Sequence, residues 1–245
     1  MKNAIIFYFL LFSSFCFGQT NYYKMYNDSI YDQKRLDKFL KTFLQNVRPG
    51  YKPTPTIFHK QVLGDSVINY FTIIMSKVDG QFDPKSMKIV YEQDPLYLIL
   101  DKKLPEFKLK DLNDKLFNSD DLIGKPSLIN FWSIQCAPCI EEFPELDKLK
   151  NKYGDKVNFI SISENSKSQV LELLKRKPFN YNHLVDGYNY KNILKIGSIP
   201  KNIFLDKDGK VFEIKGGIPY ELDKNGKPFL ARYQFEKILD ELTKL

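Results

Sequence analysis

Cys136 and Cys139 stand three apart in the run Asn130-Phe131-Trp132-Ser133-Ile134-Gln135-Cys136-Ala137-Pro138-Cys139-Ile140-Glu141-Glu142-Phe143-Pro144. The sulfur species that attacks a disulfide is the thiolate, which forms near neutral pH only in a favourable electrostatic setting. The apolar residues 126–133 read as a buried strand and residues 141–150 carry helical spacing. Cys136 therefore falls where a helix begins, and unpaired N–H groups and the positive end of the helix dipole there favour the anion. Pro138 suits the first helical turn because it has no N–H to leave unbonded. Cys139, one turn further in, is placed to resolve the mixed disulfide that Cys136 would form. Attack by Cys136 and release through Cys139 is two-electron thiol–disulfide exchange, which needs neither cofactor nor metal.

Two plainer readings compete. A C-x-x-C pair is also half a zinc site, but the remaining candidates, His59 and His183, are isolated in different segments. A purely structural disulfide would close a tiny loop and remove little unfolded-state entropy. Exchange is favoured over both. His183, in the strand-like residues 179–186, reads as a packed histidine rather than a base.

The elements that must position this pair follow from hydrophobic spacing. From residue 104 onward, strand-like and helix-like segments alternate, the pattern of a sheet covered by helices. Residues 157–163 make a second apolar strand and 166–177 a helix. Residues 201–205 and 210–215 make a hairpin across Asp206-Lys207-Asp208-Gly209, and residues 230–245 a last helix. Ahead of them, residues 19–100 read as a small α+β unit of unassigned role. In that unit Leu36, Phe39, Leu40, Phe43, Leu44 and Val47 stripe one helix within residues 31–47. Residues 56–63 and 67–75 form a hairpin across Gly64-Asp65-Ser66, and 87–91 and 96–100 are two more candidate strands.

The first eighteen residues differ from the rest. Lys2 precedes an apolar run from Ala4 to Phe12, and Ser13-Ser14-Phe15-Cys16-Phe17-Gly18 follows, the three regions of a secretory signal. Residues 1–18 are thus expected to direct export to the periplasm or cell envelope. Lipidation at Cys16 is the less favoured alternative, because Phe15 stands where a small residue is usual. Removal of this segment takes Cys16 with it and leaves one cysteine pair.

Composition bounds the remaining classes. The chain has 245 residues, 43% hydrophobic and 27% charged, which excludes collagen-like, coiled-coil and wholly disordered readings. Its 20 Phe and 15 Tyr can fill a core without help from disulfides. The 37 basic and 30 acidic residues give a net charge of +7, but the lysines are scattered among acids, which argues for solubility and against a nucleic-acid partner.

Across residues 101–245 the chain resembles the thioredoxin-like thiol–disulfide oxidoreductases of the TlpA/ResA type, within the AhpC/TSA-related domains. The motifs that carry the resemblance are Leu104-Pro105-Glu106-Phe107, Asp121-Leu122-Ile123-Gly124-Lys125-Pro126, Asn130-Phe131-Trp132 leading into Cys136-Ala137-Pro138-Cys139, Glu142-Phe143-Pro144, and Ser198-Ile199-Pro200 with Ile203-Phe204-Leu205-Asp206-Lys207-Asp208-Gly209-Lys210. The resemblance implies an α/β thioredoxin-like fold, a central mixed sheet flanked by helices. It implies a redox-active Cys136–Cys139 disulfide, a cis Ile199–Pro200 peptide facing it, and a helix kinked at Pro144. It places Ile199, Pro200, Trp132 and Pro138 at the substrate surface. Asn130 replaces the buried Asp usual in thioredoxin, and an amide cannot titrate; Glu142 is the candidate proton acceptor in its stead. Gln135 stands where thioredoxins often have Trp.

Ala137-Pro138 supplies no cation to stabilise the thiolate further, which favours a reductase over an oxidase. The expected partners are disulfide-bearing exported proteins, apocytochrome c being the family's best-known substrate, and a membrane thiol electron donor. A disulfide oxidase or isomerase is the alternative of like chemistry, and a non-catalytic binding module the alternative of another class. A peroxidase is disfavoured because Ser133 stands near where its reactive cysteine is expected. Oligomeric state is left open.

Overall fold

The computed structural model describes residues 19–25, 29–80 and 82–245. The expected signal segment, with Lys2 and Cys16, lies outside them. The leading part is a five-stranded sheet of order β2-β1-β4-β3-β5, built from β1 (Thr20–Lys24), β2 (Ile30–Tyr31), β3 (Tyr51–Leu63), β4 (Ser66–Lys77) and β5 (Val90–Tyr91), with helix α1 (Gln33–Leu44) between β2 and β3. Alternation along β4 divides its neighbours. Phe71 and Ile73 meet Leu36 and Leu40 of α1, whereas Ile68 and Tyr70 point the other way, into an apolar cluster shared with the second sheet.

The expected strands at 87–91 and 96–100 come out differently. Only Val90 and Tyr91 pair, and the second stretch is a 3-10 turn, Pro95–Ile99. Asp94 caps that turn by accepting from the Leu96 N–H at 2.9 Å, and Pro95 opens it. A short apolar run fits strand or helix equally well, and the Asp-Pro start decides. The turn drives Leu96, Tyr97 and Leu100 into the core of the second sheet.

A small ribbon, β6 (Lys108–Lys110) with β7 (Leu116–Asn118), precedes that second sheet. The sheet itself has the order β10-β9-β8-β11-β12, from β8 (Ser127–Trp132), β9 (Asn158–Ser163), β10 (Asn182–Leu184), β11 (Lys201–Leu205) and β12 (Val211–Lys215). β8 lies at its centre, parallel to β9 and antiparallel to β11, and every residue of β8 is buried. A strand covered on both faces must read as a continuous apolar run, and β8 does so except at Ser127 and Asn130.

Helices α2 (Ala137–Glu141), α3 (Phe143–Tyr153), α4 (Lys167–Arg176), α5 (Tyr188–Ile193) and α6 (Tyr233–Leu242) cover the sheet, and a second ribbon, β13 (Tyr220–Leu222) with β14 (Pro228–Leu230), precedes α6. The arrangement is thioredoxin-like, as the resemblance implies. The helix expected over 141–150 is interrupted at Glu142, ahead of Pro144, whose missing N–H cannot continue the ladder of α2. The last helix starts at Tyr233 rather than 230 because residues 228–230 pair with β13.

The sheet's two faces form two apolar clusters. Ile129 and Phe131 of β8 and Ile203 and Leu205 of β11 face Tyr97, Leu100 and α5. Leu128 and Trp132 of β8 and Phe204 of β11 face α3 and α6. The two sheets also meet through a Lys24–Glu213 ion pair at 2.7 Å and a hydrogen bond from the Tyr97 hydroxyl to the Ile214 carbonyl at 3.2 Å.

Candidate redox site

β8 delivers the site. Past Trp132 the chain turns through Ser133-Ile134-Gln135, where the Cys136 N–H donates to the Ser133 carbonyl at 3.1 Å and the Ser133 hydroxyl donates to Gln135 Oε1 at 2.6 Å. Asn165, just past β9, holds this turn in place. Its Oδ1 accepts from the Ile134 N–H at 2.9 Å and from the Ser163 hydroxyl at 3.1 Å. Helix α2 then begins with Cys136 as its N-cap: Cys136 Sγ accepts from the Cys139 N–H at 3.3 Å.

Cys136 and Cys139 are joined in a disulfide, their Cα atoms 5.3 Å apart. Their environments differ. Cys136 is partly exposed, beside the exposed Ala137 and Pro138, whereas Cys139 is 0% exposed within the cluster of Trp132, Phe143 and Phe204. A partner sulfur can therefore approach the first and not the second.

Glu142 is the buried acid of the site, 1% exposed. Its Oε1 accepts from Asn130 Nδ2 at 2.9 Å and its Oε2 from the Ile218 N–H at 2.8 Å. Burial pushes the carboxyl up to about 7, against the pull of those donors and of Asn202. Register explains the neighbours. Asn130 of β8 and Asn202 of β11 are cross-strand partners and share the face turned toward α2 and α3. Asn130 Nδ2 also donates to Asn202 Oδ1 at 3.0 Å, and Asn202 Nδ2 to the Gly216 carbonyl at 2.7 Å. Asn130 Oδ1 meets no donor among the described residues.

The Ile199–Pro200 peptide is cis. Ile199 packs on the cluster that contains Cys139, and Pro200 lies close to Glu142, for a Cβ at Gly217 would come within 2.7 Å of Pro200 Cγ and 2.9 Å of Glu142 Oε2. Only glycine lets the chain pass there.

One expected site residue is corrected. Trp132 is 1% exposed, edge-on to Phe143 with ring centres 5.0 Å apart, so it supports the site from beneath and offers no surface to a substrate. His183 is buried as well. The Phe179 carbonyl fixes its proton on Nε2, 2.7 Å away, so Nδ1 accepts from the Ser161 hydroxyl at 2.6 Å, and burial lowers its pKa. Asn202, Gly217, Ile218 and Asn165 are site residues that motif reading missed. Asn202 alone left a trace, as the one uncharged polar residue in the strand Lys-Asn-Ile-Phe-Leu.

A model of the AhpC/TSA family matches residues 100–214, which include every residue of the site up to Asn202. The chain is 32% identical over 121 residues to the thioredoxin-like protein YneN of Bacillus subtilis, across 47% of this chain and 71% of that one. It is 32% identical over 115 residues to the thiol-disulfide oxidoreductase ResA of Bacillus cereus, across 46% of this chain and 66% of that one. The chain belongs to the ResA-type thioredoxin-like oxidoreductases. Among solved structures, the exposed lipoprotein thioredoxin Etrx1 of Streptococcus pneumoniae superposes with a TM-score of 0.47 at 23% identity, covering 56% of this chain and 100% of that one. The residues that the AhpC/TSA model matches hold both cysteines, Glu142, Asn130 and Pro200, whereas Gly217 and Ile218 lie beyond them. No helix among the described residues is long and apolar enough to cross a membrane.

Proposed function

We propose that the protein reduces disulfides in exported proteins, an apocytochrome c among the candidate substrates, and is recharged by a membrane thiol donor. The observation that carries this reading is the asymmetry of the sulfurs, one approachable and one buried, the latter three residues before a buried carboxyl that burial pushes up to about 7. In the reduced protein the Cys136 thiolate, steadied by the Cys139 N–H, attacks one substrate sulfur. A mixed disulfide forms and the first substrate thiolate leaves. Glu142, as carboxylate, takes the Cys139 proton. Cys139 then attacks Cys136 Sγ, the intramolecular disulfide closes, and the second substrate thiolate leaves, so that two electrons have passed to the substrate. Ile199, Pro200 and Pro138 border the approach. Residues 1–18 act as the export signal. The leading α+β part, 19–100, precedes the thioredoxin-like domain, 101–245, and lends that domain's core Leu96, Tyr97 and Leu100.

The test is reduction of insulin by the dithiol protein. Cys136→Ser is expected to abolish it, and Cys139→Ala to accumulate a mixed disulfide with substrate. The reduction potential of the pair is expected nearer roughly −270 mV than the roughly −120 mV of a strong oxidant. Full activity in Cys136→Ser, or a potential at the oxidising end, overturns the assignment.

A further inference from the structure

The ribbon of β13 and β14 lies beyond the residues the family model matches, yet its root is built into the redox site. Gly217 abuts Pro200, the Ile218 N–H holds Glu142, and the Tyr220 hydroxyl donates to Glu141 Oε2 of α2 at 2.8 Å. The other face of the ribbon is fastened to α6, where Glu221 Oε1 accepts from the Tyr233 hydroxyl at 2.6 Å and from Gln234 Nε2 at 2.7 Å.

Side chains alternate along a strand. With Glu221 turned to α6, Tyr220 and Leu222 share the opposite face with their cross-strand partners Leu230 and Pro228. Leu230 packs on the core at the inner end of that face, and the outer part is open, with Tyr220 57% exposed and Leu222 70%. The backbone is open too. The Ala231 N–H donates to the Pro219 carbonyl and the Asp223 N–H to the Lys227 carbonyl, so the N–H and C=O groups of Tyr220 and Leu222, at alternate positions, point away from β14. The ribbon has two strands only, and no other strand among the described residues pairs with that edge. On the other edge Pro228 has no N–H to offer.

We propose that β13 is the docking strand for the substrate polypeptide: an extended, apolar segment flanking the substrate's disulfide adds to the free β13 edge and covers Tyr220 and Leu222. The proposal rests on the disulfide-reductase reading. It commits to a polypeptide because the edge offers main-chain hydrogen bonds, and to apolar flanks because the adjoining face is Tyr, Leu and Pro. It is continuous with the place where the substrate's sulfur must arrive, since the same segment touches Pro200 and Glu142 at its root.

The experiment uses the full chain, reduced and freed of reductant, in single turnover against two cystine-bridged peptides that differ only in flanks of Leu and Phe or of Ser. Wild type is expected to favour the apolar peptide about tenfold in second-order rate, the scale of burying one leucine. Leu222→Ser is expected to cut that preference to below about twofold, and Leu222→Met to keep it. A wild-type preference near unity, or a preference that survives Leu222→Ser, overturns the docking strand while the reductase reading stands. A wild-type dimer that Leu222→Ser dissolves assigns the face to a second copy and also overturns it. Failure of wild type to reduce either peptide overturns the reductase reading, and the docking strand with it.

Discussion

The two faces of the central sheet are made by the same strands and differ in what they bury. Ile129, Phe131, Ile203 and Leu205 enter a cluster whose polar atoms are tyrosine hydroxyls bonded to carbonyls, Tyr97 to Ile214 and Tyr190 to Pro105 at 2.7 Å. One residue along each strand, Asn130 and Asn202 face Glu142, and there a carboxyl with too few donors and an amide oxygen with none are shut away from water. Burying such groups is unfavourable unless hydrogen bonds offset it fully. The first face holds the sheet together, and the second holds a group that must gain and lose a proton.

Perturbing the dry face should therefore cost stability and leave the proton chemistry alone. Phe131 is buried there, its ring 6.2 Å from that of Tyr190. Phe131→Ala is expected to lower the unfolding free energy by about 4 kcal/mol through lost transfer energy and the cavity left behind. Urea unfolding measures it. The pH dependence of unfolding between 4.5 and 7 should remain that of wild type; a change in that dependence would show that the faces are not separable.

The face that holds Glu142 predicts the converse. Glu142 has its pKa raised from 4.5 to about 7, so between those values the native protein keeps a proton that the unfolded chain has released. The contribution of Glu142 to stability is thus greatest at or below pH 4.5, falls by about 3 kcal/mol as pH rises to 7 and changes little above that, whereas His183 and His59, whose pKa burial lowers, act in the opposite sense. Glu142→Gln is expected to erase this fall. Its absolute stability is a poorer guide, since a glutamine NH2 would meet the donors of Ile218 or Asn130. Urea midpoints at pH 4.5, 6 and 8 for both proteins decide the matter, and equal slopes would remove Glu142 from its role.

The difference between the faces also accounts for what the residue order could and could not reveal. Cys136, Pro138, Cys139 and Glu142 are neighbours along one helical path, so their spacing alone sets them together. Asn202 and Gly217 reach the same spot from at least 60 residues away, through the register of β11 on β8 and the close pass beside Pro200. Nothing local encodes a register. Trp132 departs from what the resemblance implied for a related reason: it shares the strand face of Leu128 and Asn130, which puts it under α3 rather than at the surface. The leading sheet was read in outline from its helix stripe and hairpin. The turn at Pro95–Ile99 was not, because Leu96, Tyr97 and Leu100 are apolar for the sake of a partner sheet that their own segment does not contain.

The smallest expected effect is the most informative about the face that holds Glu142. Asn130 donates through Nδ2 to both Glu142 and Asn202, yet its Oδ1 is already without a donor among the described residues. Asn130→Ala removes one unsatisfied acceptor, Asn130 Oδ1, but takes a donor from two others, Glu142 Oε1 and Asn202 Oδ1, so the gain offsets only part of the loss. The expected net loss is about 2 kcal/mol, below the full cost of leaving two buried acceptors unpaired. Its effect on Glu142 has a definite sign. The Asn130 donor is one of the groups that pull the carboxyl down against burial, so without it the carboxyl must titrate higher still. The pH profile of mixed-disulfide resolution, followed by single-turnover kinetics, should accordingly shift its rising limb to higher pH in Asn130→Ala. A shift to lower pH would mean that Asn130 opposes the carboxylate rather than supporting it, and that the orphan oxygen, not the amide NH2, governs the proton at this site.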